Sequence, residues 1–293
     1  MALRIITASE RVQEQGGVKA LILGPYGIGK TSLLRTLDPA TTLFVDGESG
    51  DLAVQDVPVD TMRPTTWPEC RNLACFLGGP NPAFPAEATY GPAHYEAMVE
   101  EFGDPGALDK YHTVFVDSLT KVSRLALQWA QQQPEAFNAQ GKPDLRSAYG
   151  LLGREVVSWA TQLQHIRGKN VVMTCAMEQT KDDFGRLTWD PHIEGSKAGR
   201  ELPGIVDEVI SYTLVDFGDG DVQRAFVTQK DNPFGLPAKD RSGRLEAVEE
   251  PHLGKLIAKA SDSERRRADL TTTIRPHASA QGRESQGREP QAA

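Results

Sequence analysis

Eight residues near the start of the chain, "GPYGIGKT" (24–31), combine three glycines, a lysine and a hydroxyl at the spacing G-x-x-x-x-G-K-[ST]. Glycines let the backbone turn tightly and aim its N–H groups inward. A helix beginning just beyond adds positive potential, so such a loop wraps a phosphate. The nucleotide loop then comprises Gly24, Pro25, Tyr26, Gly27, Ile28, Gly29, Lys30, Thr31 and Ser32. Lys30 is expected to reach the β- and γ-phosphates and the Thr31 hydroxyl to ligate Mg²⁺. Two further stretches end apolar runs in carboxylates. "TVFVDSLT" puts Asp117 at a strand end, the place for a second Mg²⁺-side oxygen; its bland alternative is a helix N-cap. "LFVDGESGD" (43–51) ends in Asp46 and then Glu48. At the carboxyl edge of a strand next to the first one, Glu48 can orient an attacking water; a turn of solvated carboxylates fits its motif equally well.

Positioning these groups requires a sheet. "VKALILG" (18–24), "TTLFVD" (41–46), "HTVFVD" (112–117) and "NVVMTCAM" (170–177) are continuous, β-branched and bounded by turns or charges, the pattern of buried parallel strands. Helical patterns alternate with them at 30–37, 66–77, 92–102, 118–132 and 145–168. The expected fold is therefore α/β, a P-loop core with a mostly parallel central sheet and helices on both faces. Past residue 177, "FGRLTW" (184–189) reads as a short strand or loop arm. "DEVISYTLVDFGDGDVQRAFVTQKD" (207–231) reads as a C-terminal antiparallel hairpin turning at "FGDGD". The Pro- and Gly-rich stretch 78–91 is expected to be a surface loop. A short segment (1–16) precedes the core (17–260), and the polar tail from 261 carries too few apolar residues to offset chain entropy and reads as disordered.

The chain has 293 residues, 39% of them hydrophobic, and a net charge of −8, which argues against a surface uniformly attractive to nucleic acid. No apolar run approaches the ~18 residues of a membrane span, and the first residues show no secretion-signal layout. Cys70, Cys75 and Cys175 fit no metal-ligand spacing and read as buried free thiols of a cytoplasmic protein. Guanine specificity is unsupported, because "TQKD" (228–231) has its lysine one place late for [N/T]-K-x-D. A small-molecule kinase would carry an Arg-rich lid, whereas the arginine run here, 265–267, opens the polar tail.

The order phosphate loop, "LFVDGESG", "VFVDS", "VVMTCAM" resembles the RecA-type ATPase core. With "LPGIVDEVISY" (202–212) and "AKDRSGRLEAVEEPHLGKLI" (238–257), it is similar to the core-only RecA-like ATPases of bacteriophages, the Sak-type single-strand annealing proteins, over residues 17–260. The resemblance implies that Glu48 is the carboxylate that activates water. It implies also that Lys239 and Arg241 approach the γ-phosphate of a neighbouring subunit in a ring or filament, the electrostatic task of an arginine finger. Read without the resemblance, "AKDRSG" is a charged surface turn. RecA-type proteins end the fourth core strand with a polar residue, often Gln, that senses the γ-phosphate; this chain departs from that pattern and offers Thr174, Cys175 and Ala176, with Glu178 and Gln179 slightly further on. The region 178–204 lies where RecA-like cores carry mobile DNA-binding loops. Lys181, Arg186, Trp189, Lys197 and Arg200 suit single-stranded DNA, where backbone charge and base stacking both contribute. Acids dilute them, an ordinary hairpin insertion fits equally well, and Trp189 alternatively caps the core.

These readings combine into an Mg²⁺-dependent ATPase of phage DNA recombination. It would bind single-stranded DNA as a homo-oligomer in the host cytoplasm, cooperating with a single-stranded DNA-binding protein. The competing expectation is a nucleotide-switched phage assembly or packaging factor with a protein partner and no DNA, which the acidic balance favours.

Overall fold

The computed structural model describes residues 5–13, 16–48, 50–181, 185 and 187–262. In chain order the elements are α1 (Ala8–Gln13), β1 (Lys19–Gly24), β2 (Thr42–Asp46), β3 (Asp60–Met62), α2 (Trp67–Gly78), α3 (Pro92–Phe102), β4 (Thr113–Asp117), α4 (Leu119–Ala130) and α5 (Leu145–His165). They continue with β5 (Asn170–Lys181), β6 (Leu187–Pro191), α6 (Ser196–Ile205), β7 (Glu208–Asp216), β8 (Val222–Val227), β9 (Lys239–Asp240), β10 (Val248–Glu249) and α7 (Leu253–Ser261). The described residues up to Ser261 pack as one compact unit.

Among the described residues the sheet runs β10-β8-β7-β1-β5-β4-β2-β3, with β6 added to β5 and β9 to β7. From β7 to β3 the pairings are parallel; β8, β9, β10 and β6 are antiparallel additions. This is the expected α/β architecture, a mostly parallel central sheet with antiparallel strands towards the C-terminal end. The central strands are buried on both sides because their residues alternate between two cores. Leu21, Leu23, Val114, Val116, Val171 and Met173 face the helices α2, α4 and α5. Ala20, Ile22, Phe115 and Val172 face Leu33, Leu34 and the apolar side of α7. Helices thus cover both faces unequally: the second face is roofed by one short turn and one late helix.

Three sequence expectations change. The segment after the phosphate loop is a 3-10 helix, Thr31–Thr36, rather than an α-helix over 30–37. The β5 strand runs four residues past 177 and leaves the sheet as an antiparallel arm with β6, since Lys181, Thr180 and Gln179 find partners in Leu187, Thr188 and Trp189. The 78–91 stretch is irregular, as its Pro and Gly content requires, but it is not merely a surface loop. Asn81 and Tyr90 are buried, and Asn81 Nδ2 donates to Gln162 Oε1 at 3.1 Å. Gln162 Nε2 in turn donates to Gly79 O at 2.9 Å, so one buried amide on α5 pins the loop's start. All three cysteines are free and buried, and burial pushes their thiols up to about 12, 11 and 12 for Cys70, Cys75 and Cys175. Among the described residues no helix is long and apolar enough to cross a membrane.

Candidate nucleotide-binding site

The phosphate loop hangs from the C-terminal end of β1, a strand held centrally between β5 and β7. Gly24 is demanded by that packing: a Cβ there would meet Tyr212 O of β7 at 2.7 Å. Gly29 adopts φ +104°, a conformation that side chains strain against. Lys30 is folded over its own loop, its Nζ donating to Gly24 O at 2.9 Å and Pro25 O at 3.0 Å. Burial pulls the Lys30 ammonium below its ordinary value, while Asp117, Cys175 and Glu48 oppose that pull. These two carbonyls hold the cation over its own loop.

Asp117 ends β4, one strand beyond β5, and is 4% exposed. Thr31 Oγ1 donates to its Oδ2 at 2.5 Å, and Thr174 Oγ1, from the middle of β5, donates to its Oδ1. Burial raises the Asp117 carboxyl, and the two threonine hydroxyls act against burial. Thr174 therefore buttresses Asp117 rather than ending the fourth strand at the nucleotide. Thr31 and Asp117 together present oxygen donors of the kind Mg²⁺ takes alongside substrate phosphates and water.

Glu48 arrives by a longer route than its motif suggests. The strand carrying it, β2, is not beside β1; β5 and β4 lie between. Its reach comes instead from the β2–β4 edge, where Asp46 and Asp117 are register partners and Gly47 N donates to Asp117 O at 2.8 Å. Ser118 Oγ donates to Glu48 Oε1, and Glu48 N donates to Asp46 Oδ1 at 3.2 Å, so an exposed carboxylate is held beside the Asp117 strand end. Asp46 itself is occupied by Arg63, 3.3 Å away, which also pairs with Asp51 at 2.5 Å.

The other candidates lie further out. Lys239 Nζ donates to Pro203 O at 2.7 Å and Val206 O at 2.6 Å. Arg241 pairs with Asp207 at 2.9 Å and donates to Gly204 O at 3.1 Å. Both side chains tie β9 to the junction of α6 and β7. Lys181 is exposed at the end of β5, and Arg200 is exposed on α6. Trp189 on β6 is half-buried against the core and shares the lining of an open cavity of about 650 Å³ with Lys239. Lys197 falls at the second position of α6, and Arg186 lies outside the described residues.

Two contacts at the loop have no signal in the local sequence. The Tyr26 hydroxyl and His192 Nδ1 share a hydrogen bond at 3.2 Å, with the rings edge to face, and His192 N donates to Ala176 O at 2.8 Å. The exposed tip of the phosphate loop thus touches the base of the β5–β6 arm. On the opposite flank Arg224 of β8 brings Nη1 to 3.6 Å from the place a Gly29 Cβ would take, with the Tyr212 hydroxyl at 3.7 Å. Arg224 stands in the exposed first half of β8, where the local sequence marks it only as a surface residue.

A family model described as an AAA domain matches residues 16–242. No curated protein matches the chain. Solved structures similar to it include a prototypical ATPase from the type III secretion system of pathogenic bacteria, at 18% identity and a TM-score of 0.37. That match covers 68% of this chain and 51% of the other, so the chain spans about half the length of that ATPase. The RadB recombinase is similar at 12% identity over 81% of this chain and 92% of its own, with a TM-score of 0.35. A KaiC-like protein from Pyrococcus horikoshii OT3 is similar at 13% identity over 72% and 79%, with a TM-score of 0.31.

Proposed function

Because the chain belongs to the AAA domain family, we propose that residues 17–260 form a RecA-like, Mg²⁺-dependent ATPase domain that works on single-stranded DNA in phage-type recombination, as an oligomer in the host cytoplasm. The observation that carries the ATPase reading is the convergence of Thr31, Thr174 and Asp117 beside a loop whose lysine is already poised over its own carbonyls.

In this reading the loop amides and Lys30 hold the triphosphate, with Lys30 exchanging Gly24 O and Pro25 O for phosphate oxygens. Thr31 and Asp117 would hold Mg²⁺, which when bound supplies charge neutralisation to the phosphates. Thr174 keeps the Asp117 carboxylate turned towards Thr31. Glu48, exposed and steadied by Ser118, orients the attacking water. Lys239 and Arg241 serve the site of a neighbouring subunit. Arg241 must leave Asp207 to do so, and a half-exposed pair of that kind costs only about 1 kcal/mol or less to open.

The DNA side rests on the β5–β6 arm and α6. Lys181, Trp189, Lys197 and Arg200 are placed along elements that continue from the strand carrying Thr174, and Tyr26–His192 joins the loop to their base. The test is binding of labelled single-stranded DNA with and without ATP across a salt series. Affinity that needs ATP and falls with salt supports the proposal, and no binding even at low salt sinks the DNA reading. The net charge of −8 favours the second reading, a nucleotide-switched assembly or packaging factor whose partner is a protein. ATP turnover with no DNA affinity is its signature.

A further inference from the structure

We propose that Arg224 is a phosphate-holding residue of the nucleotide site, donating to the phosphates that ADP and ATP share. The inference rests on the reading of residues 24–31 as an ATP loop and adds a cation that the loop motif does not contain.

Three observations support it. Arg224 lies against Gly29, the residue before Lys30, close enough that Nη1 sits 3.6 Å and Cζ 3.9 Å from the position of a Gly29 side chain. A guanidinium this near a loop built to wrap phosphate is within reach of the phosphate itself. Its charge is also uncommitted. Among the described residues no carboxylate pairs with it, in contrast to Arg35, Arg63 and Arg241. Its neighbour is the buried Tyr212, whose hydroxyl it reaches; burial raises that phenol and the Arg224 charge acts against burial. An exposed arginine steered by a buried tyrosine hydroxyl is held in place without being neutralised.

The flank it comes from decides which phosphates it meets. In the strand order β8-β7-β1-β5-β4-β2, the carboxylates Asp117 and Glu48 approach from the β4 and β2 side. Arg224 approaches across β1 from the β8 side. The metal- and water-handling groups mark the γ-phosphate end, so the guanidinium stands towards the opposite, proximal end. It therefore holds the nucleotide in both states rather than sensing the third phosphate.

The test is equilibrium titration of the full chain and its R224A and R224K variants with ADP and with ATP, at low and high salt. Arg224 is exposed, so thermal melts of the three proteins should coincide. R224A is expected to weaken ADP and ATP alike, by about tenfold, as for one charge-assisted hydrogen bond. R224K should recover part of the loss, and the deficit should shrink as salt rises. Unchanged affinities in R224A overturn the proposal. A loss confined to ATP overturns its placement at the shared phosphates, and a loss indifferent to salt overturns the charge contact. If the unaltered protein binds neither nucleotide, the ATP-loop reading itself fails, an outcome distinct from all of these.

Discussion

Replacing Glu208 by Gln should stabilise the protein progressively as pH rises from about 4.5 to about 7, and fully above that. Glu208 begins β7 beside β1 and is 1% exposed. Its Oε1 accepts from Ser242 N at 3.1 Å, but its buried Oε2 has no hydrogen-bond partner. The neighbour facing it is the Asp240 carboxylate, which already accepts from Ser242, Gly243 and Leu245 and can only accept. A proton on Glu208 converts that repulsion into a hydrogen bond. Burial, with Asp240 adding to it, accordingly pushes the Glu208 carboxyl from 4.5 up to about 7. A folded-state value above the unfolded one means the folded chain binds more protons between them, so stability is greatest below about pH 4.5 and declines until about pH 7. At about 1.4 kcal/mol per pH unit, the full loss approaches about 3 kcal/mol. The amide of E208Q imitates the protonated acid, accepting from Ser242 N and donating to Asp240. Denaturant melts at about pH 5 should make the two proteins nearly equal. Melts at about pH 8.5 should show E208Q more stable by about 2–3 kcal/mol. Asp240, held below its usual range chiefly by Ser242 and the Leu245 and Gly243 amides against burial, titrates under this window and does not blur it. A difference between the proteins that is the same at both pH values would refute the reasoning.

Asp117→Asn keeps the shape that Thr31 and Thr174 grip but removes the charge, so ATP turnover should need at least about tenfold more Mg²⁺; a magnesium titration of the ATPase rate checks it. Arg241→Ala should cut turnover about a hundredfold or more in a concentrated, assembled sample if the residue serves the neighbouring site. Steady-state ATPase assays across protein concentration decide, and an undiminished rate ends the in-trans proposal. Gly17→Ala tests packing alone: its Cβ would lie 2.0 Å from Lys169 O, so urea melts should show a loss of about 3 kcal/mol or more.

What was legible in the sequence was what neighbours in the chain determine. Runs such as "TVFVD" and "LFVDG" declare buried strands because both faces are apolar, and Lys30 and Thr31 sit in a loop whose geometry is local. Helix α6 was hidden because Gly199, Pro203 and Gly204 make its sequence a poor helix; it forms by burying Ala198 and Leu202 under α5. The order of strands is hidden for a different reason, since parallel pairing joins segments as distant in the chain as Ala20 and Glu208, and so Glu48 is expected beside β1 rather than beyond β5 and β4. Thr174 was visible as a polar residue on the fourth strand, yet its service to Asp117 depends on a cross-strand contact. Arg224 and Glu208 are the extreme case: everything that matters about them is supplied by partners distant in sequence.

The Tyr26–His192 contact has a thermodynamic consequence. It joins the tip of the phosphate loop to the base of the β5–β6 arm, and if the arm binds a partner as proposed, such a junction cannot act in one direction only. If nucleotide displaces Tyr26 and thereby changes the arm's affinity for its partner by some factor, that partner must change nucleotide affinity by the same factor. Measuring ATP binding in the presence of the partner would then report on the arm, and Tyr26→Phe, which removes the hydroxyl but keeps the ring, would show how much of that shared factor passes through one hydrogen bond.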